Sequence, residues 1–280
     1  MAVAPLRALH EAGHSIGLVV SRADARRGRG RGLSPSPVKA AAIELGLPVT
    51  DRVDDVVGAG IDLGVVVAFG QIIRPHVLDA VPMVNLHFSA LPRWRGAAPV
   101  ERAILAGDPQ TAVCLMDVEE GLDTGGVRAR ADLDIGPDET AAELRGRLVD
   151  AGTQLLLDAL RDGLGPSEPQ HGEVTYAAKI TTEDLALDWG RPALELHRIV
   201  RVGGAHTRFR GSRLKVWRTR VLPADGDEPA PPGALIGTTV GTGDGSLDLV
   251  EVQPEGRARL TAADWARGLR PPPSGERLGG

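Results

Sequence analysis

DLGVVVAFGQIIRPHVLDAVPMVNLHFSALPRWRGAAPV, residues 62–100, is the stretch on which the reading of the fold turns. DLGVVVAFG is a short β-branched apolar run closed by glycine, which predicts a buried strand. IRPHVLDAV predicts a helix, MVNLHFSAL a second strand, and PVERAILAG a second helix. Strand and helix in alternation imply parallel strands with helices packed on both faces. The flanking sequence repeats the pattern. Residues 3–12 read as an amphipathic helix stopped by Gly13, SIGLVVS as a strand, VKAAAIELG as a helix closed by Gly46, and LPVT as a strand. ADARRGRGRGLSPSP, rich in Gly, Arg and Pro, reads as a loop. TAVCLMDV and VRARADLDI are longer strands around EEGLDTGG, before a long helix with Leu144, Leu148, Leu155 and Leu156 on its apolar side. GLGPSEPQHGEV then breaks the pattern. After it come the strands RLKVWRTRVL, GALIGTTVG and SLDLVEVQ, with Gly-rich turns and a last helix, TAADWARGL. The expectation is α/β: a doubly wound, mostly parallel sheet over residues 1–163, a linker at 164–173, and a smaller C-terminal β-barrel domain over 174–280.

The 280 residues suit two domains, and 42% hydrophobic with 25% charged residues excludes wholesale disorder. Cys114 is the single cysteine, so neither a disulfide framework nor a Cys-based zinc cluster is available, which fits a reducing cytosol. No apolar run reaches the ~18–20 residues of a membrane span. The opening segment, broken by Arg7, His10 and Glu11, does not read as a secretory signal. Charge is uneven: net −7 over residues 1–173 and +2 over 174–280. Arg191–Arg220 holds nine basic residues against Glu195 alone, and Arg22–Lys39 six against Asp24 alone. Two basic patches on an acidic chain suggest an extended anionic partner gripped at two places.

Chemistry concentrates in MVNLHFSAL. Asn85, His87 and Ser89 stand two residues apart, so a strand puts them on one face and turns Leu86 and Phe88 into the core. They lie at the carboxyl end of a strand, where open α/β sheets bind ligands. The competing reading is a polar strand end tied to a loop. Asp123 in GLDTGG is a turn residue by itself, but a carboxylate beside an imidazole orients the ring for acid/base work. With Asn and His as oxyanion donors, the set suggests acyl-type transfer without a covalent intermediate. Ser89 lacks the G-x-S-x-G elbow of a nucleophile. His10-Glu11-Ala12-Gly13-His14 matches H-E-x-x-H, but Gly13 ends the helix that pattern needs and Val20 stands where a third ligand would fall. No metal site is expected.

NLHFSALPRWRGAAPVERAI, GLDTGG and LSPSPVKAAA together resemble the methionyl-tRNA formyltransferase family, and the resemblance extends through VTYAAKIT to the final strands. It implies formyl transfer from 10-formyltetrahydrofolate to the α-amine of initiator methionyl-tRNA. Asn85 and His87 would stabilise the oxyanion, and Asp123 would support His87 and relay the amine proton. Ser89, Ala90, Leu91 and Pro92 would line the folate site. Arg29 and Arg31, with Arg208, Arg210, Arg213 and Lys215, would bind tRNA phosphates. A cytoplasmic monomer is implied.

Three departures from the family accompany the match. Its first strand and Gly-Thr-Pro loop, which precede the helix at residue 3, are missing, so the expectation is an interrupted sheet and a poorly soluble or inactive product. Ala90 replaces a usual Leu, and the loop near residue 203 is shortened to VGGAHT. The alternatives are a formyltransferase acting on a small amine such as an amino sugar, and a tRNA- or folate-binding remnant without turnover.

Overall fold

The computed structural model describes residues 1–26, 33–222, 230–270 and 276–279. Its elements run α1 (Val3–Glu11), β1 (Val19–Val20), β2 (Ala25–Arg26), β3 (Leu33–Ser34), α2 (Pro37–Glu44), β4 (Val49–Thr50), β5 (Gly64–Val67) and α3 (Pro75–Ala80). Then follow β6 (Met83–His87), β7 (Arg95–Gly96), α4 (Pro99–Ala106), β8 (Gln110–Asp117), β9 (Val127–Asp134), α5 (Ala141–Asp162) and β10 (Tyr176–Ala177). The remainder is α6 (Ala193–Val202), β11 (His206–Phe209), β12 (Ser212–Leu222), β13 (Leu235–Ile236), β14 (Thr239–Gly241), β15 (Ser246–Pro254), β16 (Leu260–Thr261) and α7 (Ala262–Gly268). Two compact units result. One comprises Met1–Pro99, Gln110–Asp134 and Arg145–Ala178; the other Val100–Pro109, Ile135–Leu144 and Lys179–Gly280.

In the first unit, β6 is one of the two inner strands of the sheet β5-β6-β8-β9. It pairs in parallel with β5 and antiparallel with β8, which pairs antiparallel with β9. The sheet is therefore mixed, a correction to the mostly parallel expectation. The physical reason is that apolar patterning records burial, not strand direction. The short loop after β8, with no helix to carry the chain back, can only return it antiparallel. Buried Leu86, Val113 and Leu156 fill the core around this sheet. The Arg-rich stretch read as loop has a short antiparallel base, β2 with β3, and residues 27–32 beyond it lie outside the described residues. Ser36 caps α2 by accepting from the Lys39 amide at 3.0 Å, with Pro37 preset for the first turn.

β1 and β4 form a separate parallel pair, and among the described residues no strand pairs with the free edge of either β1 or β5. Residues of both strands line a cavity of about 520 Å³: Val19 and Val20 of β1 and Val65 and Val67 of β5, with Leu6 and Met83 among others. Every residue of β5 is consequently only half-buried, where the valine run predicts full burial.

In the second unit, β11-β12-β15-β14-β13 form an antiparallel sheet with β16 added on β15. β11 and β13 end it, and no ladder joins them among the described residues, so the sheet seen is open. Its core includes Leu196, Phe209, Val216, Leu247 and Trp265, with Phe209 edge-on to Trp265 at 5.0 Å.

The apolar cavity beside β5 makes a measurable expectation. The folded protein should enhance the fluorescence of an anilinonaphthalene sulfonate dye, and Val65→Lys should remove most of that signal while the far-ultraviolet circular dichroism is kept. A dye signal equal in the two proteins would mean that the cavity is not its source.

Candidate active site

The pleat of β6 does what the spacing implies. Leu86 and Phe88 are buried on one face, and Asn85, His87 and Ser89 alternate with them. Asn85 is half-buried, and among the described residues its amide has no protein hydrogen-bond partner. Ser89 is fully buried, and its hydroxyl donates to the Arg93 carbonyl oxygen at 2.6 Å. Its own carbonyl accepts from the Leu91 amide at 3.0 Å and from the Cys114 thiol at 3.2 Å. Ser89 therefore closes the turn after β6, and its hydroxyl is already committed. Burial pushes the Cys114 thiol above its ordinary pKa, which suits an inert packing group.

Asp123 comes from the loop between β8 and β9 and has φ 51°, a left-handed conformation that Asp tolerates better than bulky residues. The loop passes too close to β8 for any side chain at Gly125, where a Cβ would lie 2.1 Å from the Asp117 carbonyl oxygen. Asp123 Oδ2 accepts from the Gly96 amide at 2.7 Å and stands 3.5 Å from His87 Nδ1. The two side chains are only 15% and 6% exposed. On its other side, His87 Nε2 donates to the Trp94 carbonyl oxygen at 3.0 Å. The imidazole is thus set between a carbonyl and a carboxylate, each on a separately anchored loop. Trp94, itself at φ 63°, is anchored by its amide donating to Thr175 Oγ1 at 2.9 Å. Beside it, β7 pairs in parallel with β10, which fixes the Gly96 amide.

Of the segment after the strand, only Ala90 is half-buried; Leu91 and Pro92 are buried with Ser89. Leu91 packs with Ala112, Cys114 and Met116. What this turn offers a ligand is Ala90 and backbone.

In the second unit, the β11–β12 register sets Arg208 opposite Arg213 and His206 opposite Lys215. The alternate residues Thr207, Phe209, Leu214 and Val216 are buried. One face of this hairpin is therefore basic. Burial, reinforced by Arg213 and Lys215, pushes the His206 imidazole below its ordinary pKa. Trp217 continues the row, with the Arg259 guanidinium 3.4 Å and the Lys215 ammonium 5.7 Å from its ring centre. Arg210 differs: it pairs with Glu276 at 2.9 Å and donates to the Arg270 carbonyl. Arg29 and Arg31 lie outside the described residues. α1 ends at Glu11, so His14 is off the helix that H-E-x-x-H requires.

Sequence reasoning missed the Gly96 amide, the Trp94 carbonyl, Thr175 and Gln170. The first two are backbone groups, which no residue type announces. Thr175 and Gln170 stand in or just beyond a stretch whose Pro and Gly content signals only a connection.

With this geometry in view, comparison with known proteins is informative. Residues 2–160 match the family model described as formyl transferase, and residues 179–270 match its C-terminal domain. The chain belongs to the formyltransferase family. A methionyl-tRNA formyltransferase of Symbiobacterium thermophilum is 46% identical over 290 aligned positions, covering 95% of this chain and 89% of that protein. One from Clavibacter sepedonicus is 42% identical over 286, covering 96% and 94%. Within the formyltransferases, then, the chain is a member of the methionyl-tRNA formyltransferase family. Among solved structures, the sugar 3N-formyl transferase WlaRD, in the presence of dTDP and 5-N-formyl-THF, superposes with a TM-score of 0.68 at 16% identity. That match covers 92% of this chain and 95% of the other. A methionyl-tRNA formyltransferase from Clostridium thermocellum gives 0.54 at 21% identity, over 63% of this chain and 81% of the other. Both likenesses concern the fold alone.

Ser89→Ala should lower stability by about 1 kcal/mol, because it removes the hydrogen bond to the Arg93 carbonyl that closes the turn after β6. Formyl transfer by the folded fraction should stay within about threefold of the parent. Complete loss of turnover in a folded Ser89→Ala protein would instead make Ser89 the nucleophile.

Proposed function

We propose that this chain transfers the formyl group of 10-formyltetrahydrofolate to the α-amine of initiator methionyl-tRNA. The observation that carries the reading is Asp123 beside His87, with the Asn85 amide unspent on the same strand face. The amine lone pair attacks the formyl carbon, and the carbonyl oxygen becomes an oxyanion. Asn85 donates to that oxygen. His87 Nε2–H, which donates to the Trp94 carbonyl in the free chain, moves to the stronger acceptor. Both ring nitrogens face acceptors, so Asp123 supports the imidazole as that charge develops. Asp123 also accepts the proton released by the attacking amine and passes it on, directly or through water. Collapse of the tetrahedral species breaks the bond to folate N10, which takes that proton, and leaves the formylamide. No covalent enzyme intermediate and no metal takes part.

The segment Ser89–Pro92 serves the folate side, through Ala90 and backbone. The basic hairpin face, with Arg208, Arg213 and Lys215, serves tRNA phosphates; Arg29 and Arg31 are assigned to the acceptor stem, and Arg210 to the rim. We assign residues 1–163 to catalysis and 174–280 to tRNA binding, the open sheet being part of a barrel, and place the enzyme in the cytoplasm as a monomer. No helix among the described residues is long and apolar enough to cross a membrane. Two observations favour charged tRNA over a small amino sugar as acceptor. Relatives above 40% identity carry the tRNA activity in their names, and the basic face has no use for a small acceptor.

Single-turnover formylation should fall about 10²–10³-fold in Asn85→Ala, as for loss of one oxyanion donor, and at least as far in His87→Ala. A rate unchanged in the folded His87→Ala protein would refute the mechanism. Affinity for methionyl-tRNA should fall steeply with salt. Replacing Arg213 and Lys215 by Ala should reduce that log–log slope by about 1 for each phosphate that is no longer neutralised. Salt-independent binding, together with turnover of an amino sugar, would favour the small-acceptor reading.

A further inference from the structure

Gln170 is half-buried, and its carboxamide makes four hydrogen bonds. Nε2 donates to the Asp123 carbonyl oxygen at 2.9 Å and to the Gly125 carbonyl oxygen at 2.8 Å. Oε1 accepts from Arg95 Nε at 3.1 Å and Arg95 Nη2 at 2.6 Å. Two hydrogens and two lone pairs are thereby all used, and the polarity of the amide is fixed. The groups it joins are the two anchors of the catalytic carboxylate. One is the backbone of Asp123, held at φ 51°. The other is β7, whose Gly96 amide donates to Asp123 Oδ2 at 2.7 Å. A short ladder holds Gln170 in turn, because Glu168 exchanges two backbone hydrogen bonds with Val127, at 2.8 and 3.0 Å. Downstream, the Thr175 carbonyl accepts from the Arg95 amide at 2.9 Å.

We propose that Gln170 is a positioning residue for the reaction: it sets the distance between Asp123 and His87 by locking the Asp123 loop to β7. The proposal rests on the catalytic reading of Asp123 given above. A carboxylate in a left-handed turn, held by a single backbone donor, has little else to fix its approach to the ring. A shift of about 1 Å in a catalytic group is enough to cost ~100-fold in rate. Gln170→Glu separates the two halves of the bridge. It keeps an acceptor for Arg95 but sets a carboxylate oxygen, with no hydrogen to give, against two carbonyls.

The test is a double-mutant cycle of Gln170→Ala with Asp123→Asn, read as single-turnover formylation of methionyl-tRNA with 10-formyltetrahydrofolate, alongside KM for both substrates and thermal melting. Gln170→Ala should lower the rate about 10–100-fold, with KM values within about twofold and a cooperative melt retained. In the Asp123→Asn background the same change should add less than about twofold, because its route of action is already gone. Gln170→Glu should be no better than Gln170→Ala. Equal losses in both backgrounds would overturn the proposal in favour of general loosening of the fold, and rescue by Gln170→Glu would place the effect on Arg95 alone. Full activity in Gln170→Ala would also overturn it. If instead the parent chain formylates nothing while it melts cooperatively, the functional reading itself fails in favour of a binding remnant without turnover, an outcome distinct from all of these.

Discussion

The first unit is constrained at one half-buried carboxylate, that of Asp123. Asp123 is mostly shielded from water, and a polar group in that setting needs hydrogen-bond partners close to it. The Gly96 amide at 2.7 Å and the His87 imidazole at 3.5 Å meet that need. Each is available only because another element has been placed first. Gly96 is presented by the pairing of β7 with β10, and His87 by the inner position of β6. Asp123 comes from a loop whose glycines let it run hard against β8. The site is thus a meeting of three backbones, which explains why so much of it is main chain.

The same fact explains how far the residues alone could be read. The period-two spacing of Asn85, His87 and Ser89 was legible because a strand's pleat converts sequence spacing directly into a shared face. Gly13, Gly46 and the long leucine-bearing helix were legible for the same reason: capping and periodicity are local. Strand direction was not local. β8 and β9 carry an apolar pattern that parallel and antiparallel strands share, so the sheet proved mixed. Gln170 was invisible because a stretch rich in Pro and Gly reads as a connection whether it hangs free or, as here, is hydrogen-bonded to the Asp123 loop and Arg95. Ser89 illustrates the opposite error. Its spacing matches that of the site residues, but the turn it enters claims the hydroxyl.

The second unit shows how strand register concentrates charge on one face of a hairpin. Antiparallel register places Arg208 against Arg213 and His206 against Lys215, while the intervening residues fill the core. Like charges opposed across a ladder destabilise it, and among the described residues no acid has been interleaved in that pairing. That arrangement makes sense for a face that meets a polyanion. Arg210, two residues past Arg208, differs in that its charge is balanced within the chain by Glu276.

Whether the Asn85 amide and the His87 imidazole meet the formyl carbonyl, as proposed, is decided by a crystal structure with a stable formyl-folate analogue bound. The formyl oxygen should lie about 2.7–3.1 Å from both the Asn85 amide nitrogen and His87 Nε2, with the Trp94 carbonyl displaced as acceptor. A formyl group bound away from the end of β6, with His87 still donating to Trp94, would contradict it.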